Sequence, residues 1–311
     1  QRINGSVDFY VSHTTDLLLE QSIPNTNGFD EFLRNVGEVE NKGVELSLNT
    51  VNLILGDFTW STDIAFTHNK NKILRLTGVD IDEDGVEDDD IASGWFIGKS
   101  LGSNYDYVFD GIYQEGDDFS AIPGAAAGDI RFKDISGPDG VPDGVITPED
   151  RRVLHNSLPN FTTGLTNTFS YKGLSLMVVF SYRDGGYSRN LTANPGTNFY
   201  DLANYLDVPF WTPENPINTH PAINYRNPLG YGFYQSRTFG RLQDVSLTYT
   251  FPKPLANKIG VQDLQVYASG KNLATWTKWQ GWDPEYGRGA RDPGNYGPLM
   301  KIYTLGLKVQ F

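Results

Sequence analysis

Residues 300–311 read MKIYTLGLKVQF. Tyr303, Leu305, Leu307, Val309 and Phe311 take every second position, and Thr304, Gly306, Lys308 and Gln310 fill the gaps. Side chains alternate faces along a strand, so this stretch presents one apolar and one mixed face. The sequence stops inside the stripe, on one of its apolar members. An unpaired border strand invites uncontrolled association, whereas a closed barrel has no edge. The stripe therefore predicts a strand paired on both sides, with Phe311 at an interface where aromatics collect.

The same period recurs upstream. Val7, Phe9 and Val11 alternate with Asp8, Tyr10 and Ser12, and Val44, Leu46 and Leu48 with Glu45, Ser47 and Asn49. Phe58, Trp60, Ile64 and Phe66 follow a tight turn at Gly56-Asp57. Leu165, Phe169 and Tyr171 lead through Lys172-Gly173 into Leu174, Leu176, Val178, Phe180 and Tyr182. Val245, Leu247, Tyr249 and Phe251 form another set, and Leu264 and Val266 begin the next. The pattern predicts eight long strands, at 7–18, 43–54, 57–69, 160–171, 173–184, 236–251, 262–273 and 300–311, with no long amphipathic helix.

Their connections have a parity. Those at 55–56, 172–173 and 252–261 are short; those at 19–42, 70–159, 185–235 and 274–299 are long. Strict alternation of short and long is what an up-and-down outer-membrane barrel shows, with short periplasmic turns and long outer loops. It places the C-terminus on the periplasmic side. Apolar residues would face lipid, and Ser, Thr, Asn, Glu and Lys a wet lumen. The competing architecture is a β-sandwich with one solvated face per sheet, although sandwiches keep most loops short.

Composition narrows the function classes. The net charge of −13 over 311 residues argues against nucleic acid, which needs a basic footprint. Lipid contact depends on apolar surface and is untouched by that argument. No cysteine is present, which excludes a disulfide framework, a thiolate zinc site and a cysteine nucleophile. No apolar run reaches the roughly 18–20 residues of a membrane-spanning helix, but barrel strands are only half apolar.

Two loops are candidates for calcium. Residues 79–90, VDIDEDGVEDDD, hold eight acids in twelve positions. Asp80, Asp82 and Asp84 before Gly85 match the first half of a calcium loop, with the Val86 carbonyl and Asp88 as further ligands. The twelfth position is Ile91, not Glu, so this is no EF-hand. Residues 134–150, DISGPDGVPDGVITPED, offer Asp139, Asp143 and Asp150, with Asp134 in addition. Both loops fall in the 70–159 excursion, where a structural Ca2+ would fix a loop expected to lack a hydrophobic core. Catalytic patterns are absent, and His13, His68, His155 and His220 are scattered, so no enzyme is expected. Trp211, Trp276, Trp279, Trp282 and Tyr286 lie in long loops, where they could stack on a substrate or a lid, or simply pack loops together.

Taken in order, several blocks resemble one family. They are NVGEVENKGVELSLNT (35–50), FTWSTDIAFTHNKNKIL (58–74), GWFIGKSLG (94–102), YVFDGIYQEGD (107–117) and GDIRFKDISGPDGVPDGVITPEDR (128–151). LPNFTTGLTNTFSYKGLSL (158–176), FGRLQDVSLTYTFPK (239–253), VYASGKNLATWTKWQGWDPE (266–285) and YTLGLKVQF (303–311) continue the series. Each block is weak; their order is specific. Together they resemble the C-terminal part of SusC/RagA-type TonB-dependent outer-membrane transporters of Bacteroidetes.

The resemblance implies an antiparallel up-and-down barrel of 22 strands with an N-terminal plug. It implies import of glycans or oligopeptides, energised by TonB, with a SusD-like surface lipoprotein as lid. The terminal strand, Tyr303 to Phe311, would be read by the barrel-assembly machinery. Residues 1–311 are then expected to be the last eight strands of one barrel domain, with residues 70–159 as a long extracellular excursion and the plug and earlier strands missing. The alternative from another class is a secreted, calcium-stabilised β-sandwich that binds carbohydrate.

Overall fold

In a computed structural model the described residues are 2–22, 31–80, 83–137, 140–196, 207–281, 283–285 and 299–311, without the side chains of 19–22, 31–36 and 192. Eight long strands form one antiparallel sheet. They are β1 (Ile3–Ser22), β2 (Glu31–Leu55), β3 (Phe58–Arg75), β8 (Pro159–Tyr171), β9 (Leu174–Gly185), β12 (Phe239–Thr250), β13 (Asp263–Thr277) and β14 (Ile302–Gln310). Their order in the sheet follows the chain, β1-β2-β3-β8-β9-β12-β13-β14. That is the up-and-down order the alternation predicts. A sandwich would need two packed sheets, and the eight strands form a single one.

Among the described residues β1 and β14 are not paired with each other, so these eight strands do not close on themselves. The free edge of β14 thus needs a partner strand from outside the sheet. The apolar stripe lies open along it: Tyr303, Leu305, Leu307 and Phe311 are 74, 82, 64 and 85 % exposed. Phe9, Val11, Leu55 and Leu247 are likewise exposed on the other strands. An exposed apolar face on a sheet this large belongs against another apolar phase.

The opposite face is polar. Its two glycines at close quarters explain themselves. Tyr10 lies across Gly43, its register partner, where a Cβ would fall 2.3 Å from the ring. Tyr267 lies across Gly306 in the same way, at 2.1 Å. Each ring covers backbone that a glycine leaves bare, which pins the register. The tight turns also follow from residue type. Lys172 and Gly173 both have positive φ, at 44° and 85°, as a two-residue type I′ hairpin requires.

The apolar rule has local exceptions. Thr50, Thr62 and Asn167 stand on the apolar face. They satisfy one another: Asn52 Nδ2 donates to Thr62 Oγ1 at 2.6 Å, and Thr62 Oγ1 and the Trp60 indole N–H both donate to Asn167 Oδ1, at 2.7 and 2.9 Å. A closed polar network of this kind avoids the cost of bare hydrogen-bonding groups in an apolar medium.

Two expectations need correction. The connection 19–42 is mostly strand. β1 and β2 remain paired from Leu17↔Gly37 to Ser22↔Glu31 beyond a bulge. Apolar alternation ends where the apolar medium ends, but backbone pairing continues into water. The connection 252–261 carries a short helix, α1 (Lys253–Lys258), entered through Pro252 and Pro254.

The second correction concerns the core. The excursion after β3 is not a coreless loop. It holds β4 (Ser103–Tyr107) paired with β7 (Arg151–Asn156), and β5 (Phe109–Ile112) paired with β6 (Ile130–Phe132). The excursion after β9 contributes β10 (Tyr187–Ser188) and β11 (Gln235–Ser236). Tyr107, Ile112, Tyr113, Ile130 and Phe132 of the first pack with Trp211, Tyr225 and Tyr231 of the second into one buried cluster. The two excursions thus share a core and cap one end of the sheet, the end away from the tight turns.

Candidate functional site: the capped mouth

The two excursions are stapled by polar bonds as well as by their core. Asn218 Oδ1 accepts the Ile112 N–H at 2.7 Å, and Asp106 Oδ2 accepts the Gly232 N–H at 3.0 Å. The Ala222 N–H donates to the Gly128 carbonyl at 2.7 Å. Burial pushes the Asp106 carboxyl up, against the pull of the Tyr107 and Gly232 amides and of Arg151 and Arg189. Burial also raises the Tyr225 and Tyr231 phenols, and brings Tyr234 to about 12. Burial lowers His155, whose ring stacks on Tyr187 at 4.0 Å. These tyrosines and this histidine are packed as structural residues.

At the mouth, on the polar face, the sheet carries a buried ion network. Arg241 of β12 is 3 % exposed. Its Nη2 meets Asp283 at 2.7 Å and its Nη1 meets Glu285 at 2.6 Å, while Nε donates to Thr275 Oγ1 at 3.1 Å. Its guanidinium lies 4.7 Å from the Phe239 ring. Arg237 donates to the Pro284 and Glu285 carbonyls. Asp283-Pro284-Glu285 is thus clamped onto the rim, so the segment that follows β13 is tied to β12. Arg183 stands beside them on β9, and its buried Nε has no hydrogen-bond partner among the described residues. In the sequence Arg241 falls on the parity of the apolar Val245, Leu247 and Tyr249; the shift between Leu242 and Asp244 turns it to the polar face, so both its side and its pairing with the acids of WDPE needed the fold.

The aromatic candidates divide. Trp211 is 7 % exposed, donates its indole N–H to Gln114 Oε1 at 2.9 Å and packs over Gly128. It is a core residue joining the excursions, not an open contact for substrate or lid. Trp279 is equally buried, beneath Arg237 at 5.9 Å. Trp276 is 58 % exposed but stands opposite Gly240, on the apolar face with Phe180 at 6.1 Å. It faces away from the mouth, because β13 runs on to Thr277 and Trp276 keeps the side of Val266 and Ala268. Trp282 and Tyr286 lie outside the described residues.

The acidic loops use much of their own charge. Asp80 accepts the Asp84 and Gly85 N–H groups at 3.2 and 2.9 Å, and Asp84 accepts that of Val86 at 2.7 Å. Asp82 and Asp139 lie outside the described residues. Asp134 Oδ2 accepts the Gly144 N–H at 2.6 Å, while its Oδ1 is buried without a hydrogen-bond partner. Asp143 accepts from Val145 at 3.0 Å. Among the described residues no three acids or histidines converge to hold a metal ion. Asp150 has another occupation. It is fully buried and takes the Ile135, Ser136 and Thr147 N–H groups at 2.8, 2.9 and 2.7 Å, closing a capping box. Burial pushes its carboxyl up, but those amides together hold it below the ordinary value. A carboxylate so engaged staples the loop rather than reaching for a cation.

No family model matches the chain. Comparison with individual proteins is informative. TonB-dependent receptor P3 of Formosa agariphila is 32 % identical over 342 residues, across the whole chain and 32 % of that protein. TonB-dependent receptor SusC of Bacteroides thetaiotaomicron is 28 % identical over 328 residues, across the whole chain and 30 % of its own length. The RagAB peptide importer in its open-open state superposes over the whole chain and 33 % of the solved chain, with a TM-score of 0.77 and 26 % identity. The chain therefore spans about a third of the length of its relatives. By sequence and by fold the chain corresponds to a stretch of the barrel of SusC/RagA-type TonB-dependent receptors.

Proposed function

We infer that this chain forms part of an outer-membrane importer of glycans or oligopeptides, powered through TonB and lidded by a SusD-like surface lipoprotein. The observation that carries the reading is the two-excursion cap, with its own core, set at the mouth of a barrel sheet that superposes on RagAB. A built platform at that end suits docking of a lid. The relatives are receptors and transporters, so the mechanism is binding and gated passage rather than bond chemistry. The excursions lie outside the cell and the C-terminus on the periplasmic side.

The test is to extract the protein from its native membrane in detergent and identify every co-purifying chain by mass spectrometry. A SusD-like lipoprotein together with plug and early-strand sequence is the expected result. Recovery without any such lipoprotein refutes the lidded importer.

Calcium at residues 134–150 belongs to the same reading. Its support is the buried, unpartnered Oδ1 of Asp134 beside a Gly144 turn. Asp134 and Asp143 would hold the ion, which would rigidify the cap. Added Ca2+ should slow amide exchange at 134–147 in the parent and not in Asp134→Asn; equal exchange with calcium and with chelator removes the site.

A further inference from the structure

Beyond its aromatic belt the apolar face turns basic. On β3 the residues that follow Phe66 on the same face are His68, Lys70 and Lys72, with Asn69 and Asn71 turned the other way. Register sets Lys42 of β2 directly opposite Lys70, and Glu40 opposite Lys72. On β1, Val11 and His13 stand opposite Lys42 and Glu40. Lys42, Lys70, Lys72 and His13 are exposed. Glu40 is shared between Lys42 at 2.9 Å and His13 at 2.7 Å. Glu38, the next acid along β2, lies 3.6 Å from Arg75. Among the described residues neither Lys70 nor Lys72 forms an ion pair.

Like charges directly opposite on one sheet face repel. Here two lysines do so in a chain whose net charge is −13. An anion placed between them removes that repulsion. We propose that this stripe binds the phosphate groups of an anionic lipid headgroup, in the leaflet that meets the capped end of the barrel. The depth is right. Phe66 and Phe161 lie 5.5 Å apart, and Phe161 and Tyr182 5.8 Å, forming the aromatic belt that marks a membrane interface. The lysines follow it along β2 and β3, at the level where lysine ammonium groups meet lipid headgroups. Further along the same face, Phe180, Tyr182, Gly240 and Trp276 line a cleft of about 840 Å³ with Lys278 on its rim. A side chain at position 240 would fill its floor, since a Cβ there falls 2.9 Å from the Phe180 ring. The cleft is an apolar recess on the same face, two strands or more along the sheet from the lysines.

The inference rests on the membrane reading of this face, and not on what is imported or which lid is bound. Its test uses the full-length protein extracted in detergent, with diphosphorylated lipid A and its dephosphorylated form as probes. Binding is read by native mass spectrometry. The parent should prefer the phosphorylated lipid, and Lys42→Gln, Lys70→Gln and Lys72→Gln should each weaken it about fivefold. Rising salt should weaken it too. Lys308→Gln, on the polar face, should leave it unchanged. Equal binding of the two lipids by the parent overturns the proposal, as does inorganic phosphate competing as well as the lipid. Should the lysine variants fail to insert, the phosphorylated-versus-dephosphorylated ratio and the salt series on the parent still decide. Failure of the membrane reading would show separately, as protein recovered without detergent.

Discussion

The sheet and the cap draw on the same residue types for opposite ends. In the sheet, Leu305, Phe9 and Tyr303 are among the most exposed residues of the molecule. In the cap, Ile112, Ile130 and Tyr107 are almost wholly buried. The sheet gains its stability from backbone ladders and offers its apolar face to lipid. The cap stands in water and must make its own core, which it builds from both excursions together. An apolar residue therefore has two meanings here, set by which solvent its element meets.

Substitutions can break that contrast. Trp211→Ala should have the largest effect, about 3–5 kcal/mol lost from the cap, because it empties the contact between excursions. Hydrogen exchange should quicken across 107–132 and 222–231 while the eight-stranded ladder stays protected; loosening of the ladder as well would show cap and sheet to be one unit. Arg241→Ala strips two carboxylates of their buried partner and should cost about 3–5 kcal/mol at the mouth. Faster proteolysis around 278–285 is the readout, and an unchanged rate would mean that the clamp carries no stability.

On the sheet, Leu305→Arg should cost about 2–4 kcal/mol, as a charge on the lipid face does near the midplane. Thr304→Arg, one residue away on the polar face, should be close to neutral in the same denaturant titration. Similar costs for both would contradict the lipid-facing assignment. Asp150→Ala leaves three buried amides unsatisfied and should cost the cap about 1–3 kcal/mol. The smallest effect is that of pH. The Asp150 carboxyl is held below its ordinary value of 3.8. Its contribution is thus complete above that value and is lost as pH falls through the folded-state value. Asp106 runs the other way, since its raised carboxyl favours the folded cap as pH falls toward it. Exchange rates in Asp150→Asn should lose the acid-side dependence that the parent keeps.

What could be read without the fold was whatever a period of two determines. Each of the eight strands contains the stretch where alternation places it, because facing lipid on one side and water on the other imposes that pattern on a spanning strand, although β1 and β2 run on beyond it and bulges interrupt the parity. Short turns declared themselves through Gly56 and Lys172-Gly173. The acidic stretches and the aromatic loops were visible as composition, but their roles were not. Asp150 reads as a ligand in sequence and is a backbone staple in space. Trp211 reads as a surface contact and is core, and Trp276 reads as a mouth residue but lies within β13, on the apolar side with Val266 and Ala268. The cap's core joins Tyr107 to Trp211 and Tyr231, residues about a hundred positions apart, and the rim clamp joins Arg241 to Asp283. Periodicity is a local property, so sequence alone determined the sheet. Packing between distant segments leaves no periodic mark, so only the tertiary structure decided the cap, the mouth and the occupation of each polar residue within them.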